Sequence, residues 1–264
     1  MLTEVKNQMK IVILSTKYAV EREMLNKVTF ISNIIFMILN NAGFIIQWVI
    51  LYSLKDNVGG YSFKQVLLLW GIAAGTFGIS HFFFKASFEL TDTINTGKLD
   101  TYLIQPKNVL LSCTTSSVEV SAIGDIIYAY IMLFLYGITP ISFLLFTFFC
   151  IVGGLILSSI SIIYSSLSFW FGKVDILTST ITSMMTTFST YPEGIFKGLI
   201  KILLYTIIPI GFVNYLPIRL VTKFNIVGFI VVILFTIVMI SLAFIIFYKG
   251  LKRYSSSNLM NARI

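Results

Sequence analysis

Glu119 and Asp125 stand in one otherwise apolar stretch, about 112–137. A carboxylate held in hydrocarbon costs at least about 2.5 kcal/mol unless it is paired, protonated or facing water. Counting back from Ile138 at about 1.5 Å per residue puts Asp125 roughly 20 Å in, somewhat below the midplane of a core about 30 Å thick. Glu119 then falls near the inner interface. Two readings of Asp125 stand: it lines a polar cavity or contacts substrate, or it is a hydrogen-bonded acid that fixes helix packing. Asn40, Asn41 and Gln47, in an earlier apolar stretch, favour hydrogen bonds between helices over substrate contact.

Little other chemistry is visible. His81 is the only histidine and has no carboxylate near it in sequence, so it reads as structural or interfacial. Cys113 and Cys150 are the two cysteines, within or beside apolar stretches, and predict neither a disulfide scaffold nor a metal site. The sequence contains no G-x-x-x-x-G-K-[ST], H-E-x-x-H or G-x-S-x-G pattern. No catalytic residue, metal or bound cofactor is expected, and any work the chain does must draw its energy from elsewhere.

The elements that carry these residues follow from composition. Of 264 residues, 57% are hydrophobic and only 11% charged, against about 25% charged in soluble domains. Polar side chains could not cover such a chain in water, so lipid must be its solvent over much of its length. The net charge of +8 does not point to nucleic acid, because the basic residues sit at segment ends and form no stripe. Spans of roughly 20 apolar residues are expected at about 28–53, 62–84, 112–137, 141–168, 174–190 and 225–248, the fifth weak because of its threonines and serines. Between the last two, residues 191–222 are apolar in patches but broken by Pro192, Pro209 and Pro217. That segment reads as re-entrant or interfacial, with a seventh span as the alternative. With the N-terminus inside, 13 of the 19 lysines and arginines fall on inner segments, which places both termini in the cytoplasm. Residues 4–25, charged at both ends with Val5, Met9 and Val12 at helical spacing, predict a helix in the inner interface. The first apolar stretch is too long for a signal-peptide core, so the N-terminus is expected to be retained. Gly71-x-x-x-Gly75, Ala74-x-x-x-Gly78, Gly154-x-x-x-Ser158 and Ser161-x-x-x-Ser165 allow close helix approach, with packing inside the chain as their ordinary role.

The one long polar interruption is "FELTDTINTGKLDTYLIQP", residues 88–106, which this topology puts on the inner side between spans two and three. It reads as two short helices. Phe88, Leu90 and Ile94 mark the first, and Gly97 can end it in the left-handed conformation. Leu99 and Leu103 share a face of the second, flanked by Tyr102 and Ile104, and Pro106 stops it. Apolar knobs on a polar loop suit a groove on a soluble partner; a helix lying on the headgroups is the plainer reading.

"GKLDTYLIQP" resembles the G-x-[apolar]-D-x-x-L-x-[basic]-P signature of a branch of type-2 ABC exporter permeases. The matching positions are Gly97, Leu99, Asp100, Leu103 and Pro106, with Gln105 where a basic residue is usual. "YPEGIF" (191–196) and "IIPIGFVNYLP" (207–217) resemble the outer segment of the same family at Tyr191, Pro192, Pro209, Phe212 and Pro217. The resemblance implies an all-α permease subunit in a bacterial cell membrane, with a single transmembrane domain over 1–264. It implies pairing with a second permease subunit, alike or different, and with a cytoplasmic ATPase that carries ATP and Mg. The loop, with Gly97, Leu99, Asp100, Tyr102, Leu103 and Pro106, would couple to the ATPase, and the outer segment would shape a gate. The alternatives are the coupling subunit of a vitamin importer, whose Ala-Arg-Gly motif is absent here, a channel that uses no ATP, and an intramembrane enzyme, for which no catalytic cluster is visible. The substrate is not legible.

Overall fold

The computed structural model describes residues 2–255, with backbone only at 2–6, 8, 9 and 11. Val5 and Met9 therefore lie outside the described side chains, and Arg263, one of the basic residues counted on the inner segments, lies outside the described residues. The chain runs α1 (Leu2–Glu23), α2 (Lys27–Leu54), α3 (Phe63–Phe88), α4 (Leu90–Asn95), α5 (Asp100–Leu103), α6 (Val109–Thr114), α7 (Ser121–Tyr136), α8 (Pro140–Ser166), α9 (Ser168–Phe171), α10 (Asp175–Ser189), α11 (Gly198–Leu203), α12 (Leu216–Thr222) and α13 (Ile226–Leu251). Among the described residues the only extended pairing is an isolated bridge, Val58 with Tyr61.

The helices start where side chains satisfy their first free amides. Asn26 accepts from Thr29 N–H, Asn108 from Leu111 N–H, and Asn225 from Val227 N–H. Thr139 and Ser142 cap α8 reciprocally, with Pro140 in its first turn.

The centre of the bundle is α3, apolar all round and packed between α7 and α8. Its glycines let the neighbours in. A Cβ on Gly78 would stand 2.7 Å from Ile126 Cγ1 and 3.0 Å from Ala122 O on α7. One on Gly75 would collide with Cys150 Sγ on α8 and meet Ala129 Cβ on α7 at 3.3 Å. From the other side, Gly153 and Gly154 of α8 receive Thr76 and Ile79. Buried hydroxyls complete the seam: Ser80 and Ser158 bond at 2.8 Å, and Ser161 donates to Ser87 O at 2.9 Å. The small-residue motifs thus pack within the chain. Gly75→Val is expected to push both neighbours off α3 and cost about 1–3 kcal/mol or more. Thermal unfolding of the purified chain reads this, and an unchanged midpoint refutes it.

Four helices, α2, α3 running into α4, α8 running into α9, and α13, are long and apolar enough to cross a membrane among the described residues. α2 and α13 stand at the rim with few side chains buried, as expected of surfaces facing lipid or a partner. α7, with 16 residues, and α10, with 15, are shorter than a full crossing.

The third expected span, 112–137, is not one helix. α6 ends at Thr114, and α7 begins only at Ser121. The cause is the run of hydroxyls between them. Thr115 Oγ1 donates to Leu111 O and Ser116 Oγ to Cys113 O, giving the carbonyls alternative partners and ending the helix. Glu119 is therefore on an irregular connector, not in a helix, and its N–H donates across to His81 O at 3.2 Å. α3 is kinked opposite this connector, at Phe84. α1 is tied to the same region, where Ser15 Oγ donates to Thr115 O at 3.0 Å.

Residues 191–222 form no helix of crossing length. A 3₁₀ turn (Glu193–Ile195), α11, a turn through Pro209, a wide π-type turn (Gly211–Tyr215) and α12 follow one another.

Candidate functional site

A cavity of about 600 Å³ opens between α2, α3, α7 and α10. Its polar wall holds Asn40, Asn41 and Gln47 from α2, Asp125 from α7, and Thr182 and Thr186 from α10. Its apolar wall is largely aromatic. Phe44 lies nearly parallel to Trp70 at 5.8 Å between centroids, and Trp48 meets Tyr191 edge-on at 5.9 Å. Tyr191, read in the sequence as part of the outer segment, thus also lines one end of the cavity.

Asp125 reaches this wall because the next residue back is glycine. A Cβ on Gly124 would stand 2.5 Å from Ile34 O, so α2 and α7 touch there. Asn41 Nδ2 then donates to Asp125 Oδ1 at 2.6 Å. That is the interhelical bond expected of Asn41, and the acid also lines a cavity, so the two readings of Asp125 are compatible. Glu119 is paired with Lys85, Nζ to Oε2 at 2.9 Å. His81 sits between these groups. Its Nδ1 bonds Phe77 O at 3.0 Å and its ring stacks on Phe88 at 4.3 Å, which fixes its orientation at the cavity wall.

A second opening, about 520 Å³, runs on from the first past His81, Thr182 and Thr186 to Asp175. α10 supplies a hydroxyl-rich face to both. What reads in sequence as a weak span is a polar wall.

In the loop between α3 and α6, Gly97 closes α4 with φ at 76°, and Leu99 N–H donates back to Thr93 O at 3.2 Å. This turn drives Leu99 inward. It is fully buried with Leu90, Ile94, Leu110, Cys113 and Phe247, so it is an anchor and not the exposed knob expected from its position on an amphipathic turn. Tyr102 packs against the same cluster. Burial first, then the neighbouring Asp100 carboxylate, pushes the Tyr254 hydroxyl up, so Asp100 ties the loop to the end of α13. The apolar surface left outward is Leu103, 40% exposed, and Ile104, 85% exposed. Pro106 follows in the turn leading to α6.

In the segment 191–222, the sequence singles out Tyr191, Pro192, Pro209, Phe212 and Pro217 and misses the residue that holds them. Glu193, with its side chain 4% exposed, takes Lys201 Nζ at 3.1 Å, Tyr205 Oη at 2.9 Å, and the Arg219 guanidinium. Gly194 lets the 3₁₀ turn press against the backbone of Gly59, where any Cβ would clash. Phe212 stacks on Phe235 of α13 at 3.9 Å. Tyr215 Oη donates to Phe188 O at 2.8 Å and Asn214 Nδ2 to Ser189 O, both carbonyls in the last turn of α10. Three basic and aromatic residues spread over 27 positions around one acid give no local signal, although "YPEG" beside a proline-broken run marks the place.

The model of a family described as ABC-2 family transporter protein matches residues 38–258. No curated protein and no solved structure matches.

Proposed function

The chain belongs to the ABC-2 family of transporter proteins, and from that premise we propose that it is the membrane subunit of an ATP-driven exporter. It pairs with a second permease subunit and is driven by a separate cytoplasmic ATPase, which holds the ATP and Mg. The passes are α2, α3, α7, α8, α10 and α13, with both termini cytoplasmic in a bacterial cell membrane and α1 on its inner surface. The aromatic and hydroxyl-lined cavity is the substrate's place on the way out, and the segment 191–222 is the outer gate.

The observation that carries the reading is the build of the inner loop. It is fastened at one side through Leu90, Ile94 and Leu99 onto α6 and α13, and it offers Leu103 and Ile104 outward at the other. A partner that grips those two side chains can move the anchored cluster as a unit, and through Phe247 the helix α13. Leu103→Asp and Ile104→Asp are expected to set an unpaired charge against the partner's groove. The penalty is about 3–5 kcal/mol where the contact is dry, and each ~1.4 kcal/mol is tenfold in binding. The test is recovery of the ATPase on the tagged permease at equal membrane levels. Equal recovery with unchanged ATP turnover refutes the coupling role.

The topology is tested separately. Both native cysteines are buried, so single cysteines introduced at exposed positions report cleanly. Ile104→Cys is expected to react with an impermeant maleimide only from the cytoplasmic side, and Asp56→Cys only from outside. Labelling of position 104 from outside overturns the orientation.

A further inference from the structure

Resting on the reading of the cavity as the transport site, we propose that it takes an amphipathic organic monocation, a compound with one permanent or protonated positive centre on an apolar body.

The charges at the wall give the sign. The acids lining the cavity are Glu119 and Asp125, and no lysine or arginine lines it. Glu119 is neutralised by Lys85 at 2.9 Å. Asp125 has only the neutral amide of Asn41, and among the described residues no basic side chain pairs with it. The site therefore carries one uncompensated carboxylate in a region that should lie within the membrane.

The hydrogen bonding points the same way. Thr182 Oγ1 donates to Thr178 O at 2.9 Å, and Thr186 Oγ1 donates to Thr182 O at 3.0 Å. Their protons are engaged by the helix, and the lone pairs remain for a ligand. Asn41 gives one amide N–H to Asp125, and its carbonyl oxygen can accept. Asp125, this oxygen and the two threonine hydroxyls thus offer acceptors to a ligand that brings positive charge or N–H donors.

The remaining wall sets the ligand's body. Phe44, Trp48, Trp70 and Phe77 present aromatic surface, and a cation over such a face is attracted by the ring quadrupole. An anion is repelled by both walls. A bare metal ion needs several converging oxygen ligands, and no group of three or more histidines, cysteines or carboxylates suited to a metal occurs among the described residues. The cavity's volume is that of a small-molecule site, which spans roughly 300–1,000 Å³.

The test uses tetraphenylphosphonium and tetraphenylborate, ions of near-identical shape and opposite charge, on the full-length chain in lipid nanodiscs, with empty nanodiscs subtracted. Radiolabelled tetraphenylphosphonium is expected to bind saturably, and radiolabelled tetraphenylborate, assayed separately, is expected not to. Asp125→Asn, which keeps the bond to Asn41, is expected to weaken binding at least tenfold, while Asp125→Glu retains most of it. A second readout is tryptophan emission in a Trp170→Phe chain, where the remaining tryptophans, Trp48 and Trp70, both line the cavity; the cation should change it and the anion should not. Equal binding of the two ions, or wild-type binding by Asp125→Asn, overturns the proposal. Should Asp125→Asn fail to insert, the two-ion comparison on the wild-type chain decides alone. ATPase recovery by the wild-type chain tests the permease reading independently: recovery without cation binding overturns only the ligand class, and cation binding without recovery overturns only the ATPase-driven reading.

Discussion

Replacing both Lys201 and Arg219 with methionine is expected to release the outer segment, whereas Glu193→Gln is expected to leave it seated. The asymmetry follows from burial. Glu193 is almost wholly enclosed, while Lys201 and Arg219 are each about half exposed. Removing both cations strands a carboxylate away from water, at about 3–5 kcal/mol. Removing the carboxylate's charge leaves two cations that water can solvate, and screening holds that loss to about 1 kcal/mol or less for each pair. The amide at 193 can still accept from Tyr205. The measurement is thermal unfolding in nanodiscs, joined to labelling from outside of a Ser189→Cys reporter, a position now buried under Asn214. The double methionine variant should expose the reporter and Glu193→Gln should not. If Glu193→Gln costs as much as the double variant, the hub does not hold the segment.

Leu99→Ala is expected to loosen the inner loop throughout. Truncating a fully buried leucine costs about 2–5 kcal/mol, and here the loss falls on the small cluster that joins α4 and the turn before α5 to α6 and α13. Hydrogen exchange across 90–114 should accelerate, and ATPase recovery and transport should fall together. Ile104→Asp should lower recovery and leave exchange unchanged, because that side chain touches the outside. The contrast separates anchor from knob. Unchanged exchange in Leu99→Ala refutes the anchor.

Leu99 and its neighbour on the same face, Leu103, mark how far the sequence reaches. The period of apolar residues over 88–106 and the glycine at 97 were enough to read two short helices and the break between them. Periodicity fixes which side chains share a face, but not which face meets the protein, so Leu99 and Leu103 looked equivalent. The spans α2, α3, α8 and α13 were legible from length and apolarity alone. The break at 115–120 was not, because hydropathy does not register serine and threonine bonding back to the helix that precedes them. Asn41 and Asp125 were each visible as costly residues in an apolar setting; their mutual bond, over 84 positions, depends on the glycine that brings α2 against α7. Glu193 was hidden for a related reason, since its partners come from three separate elements.

The two short helices have a consequence for the lipid. At about 1.5 Å per residue, α7 with 16 residues and α10 with 15 are roughly 24 and 22 Å long, against a hydrocarbon thickness of about 30 Å. Both flank the cavity. If both cross the membrane as proposed, the bilayer must pinch inward or let water in wherever a partner does not cover them, at a fraction of a kcal/mol for each ångström of mismatch. That distortion is concentrated on the side of the molecule where the substrate would leave the lipid or enter it. Acyl-chain length then becomes a control on the protein: shorter chains relieve the mismatch, and thicker membranes work against any state that exposes α7 and α10.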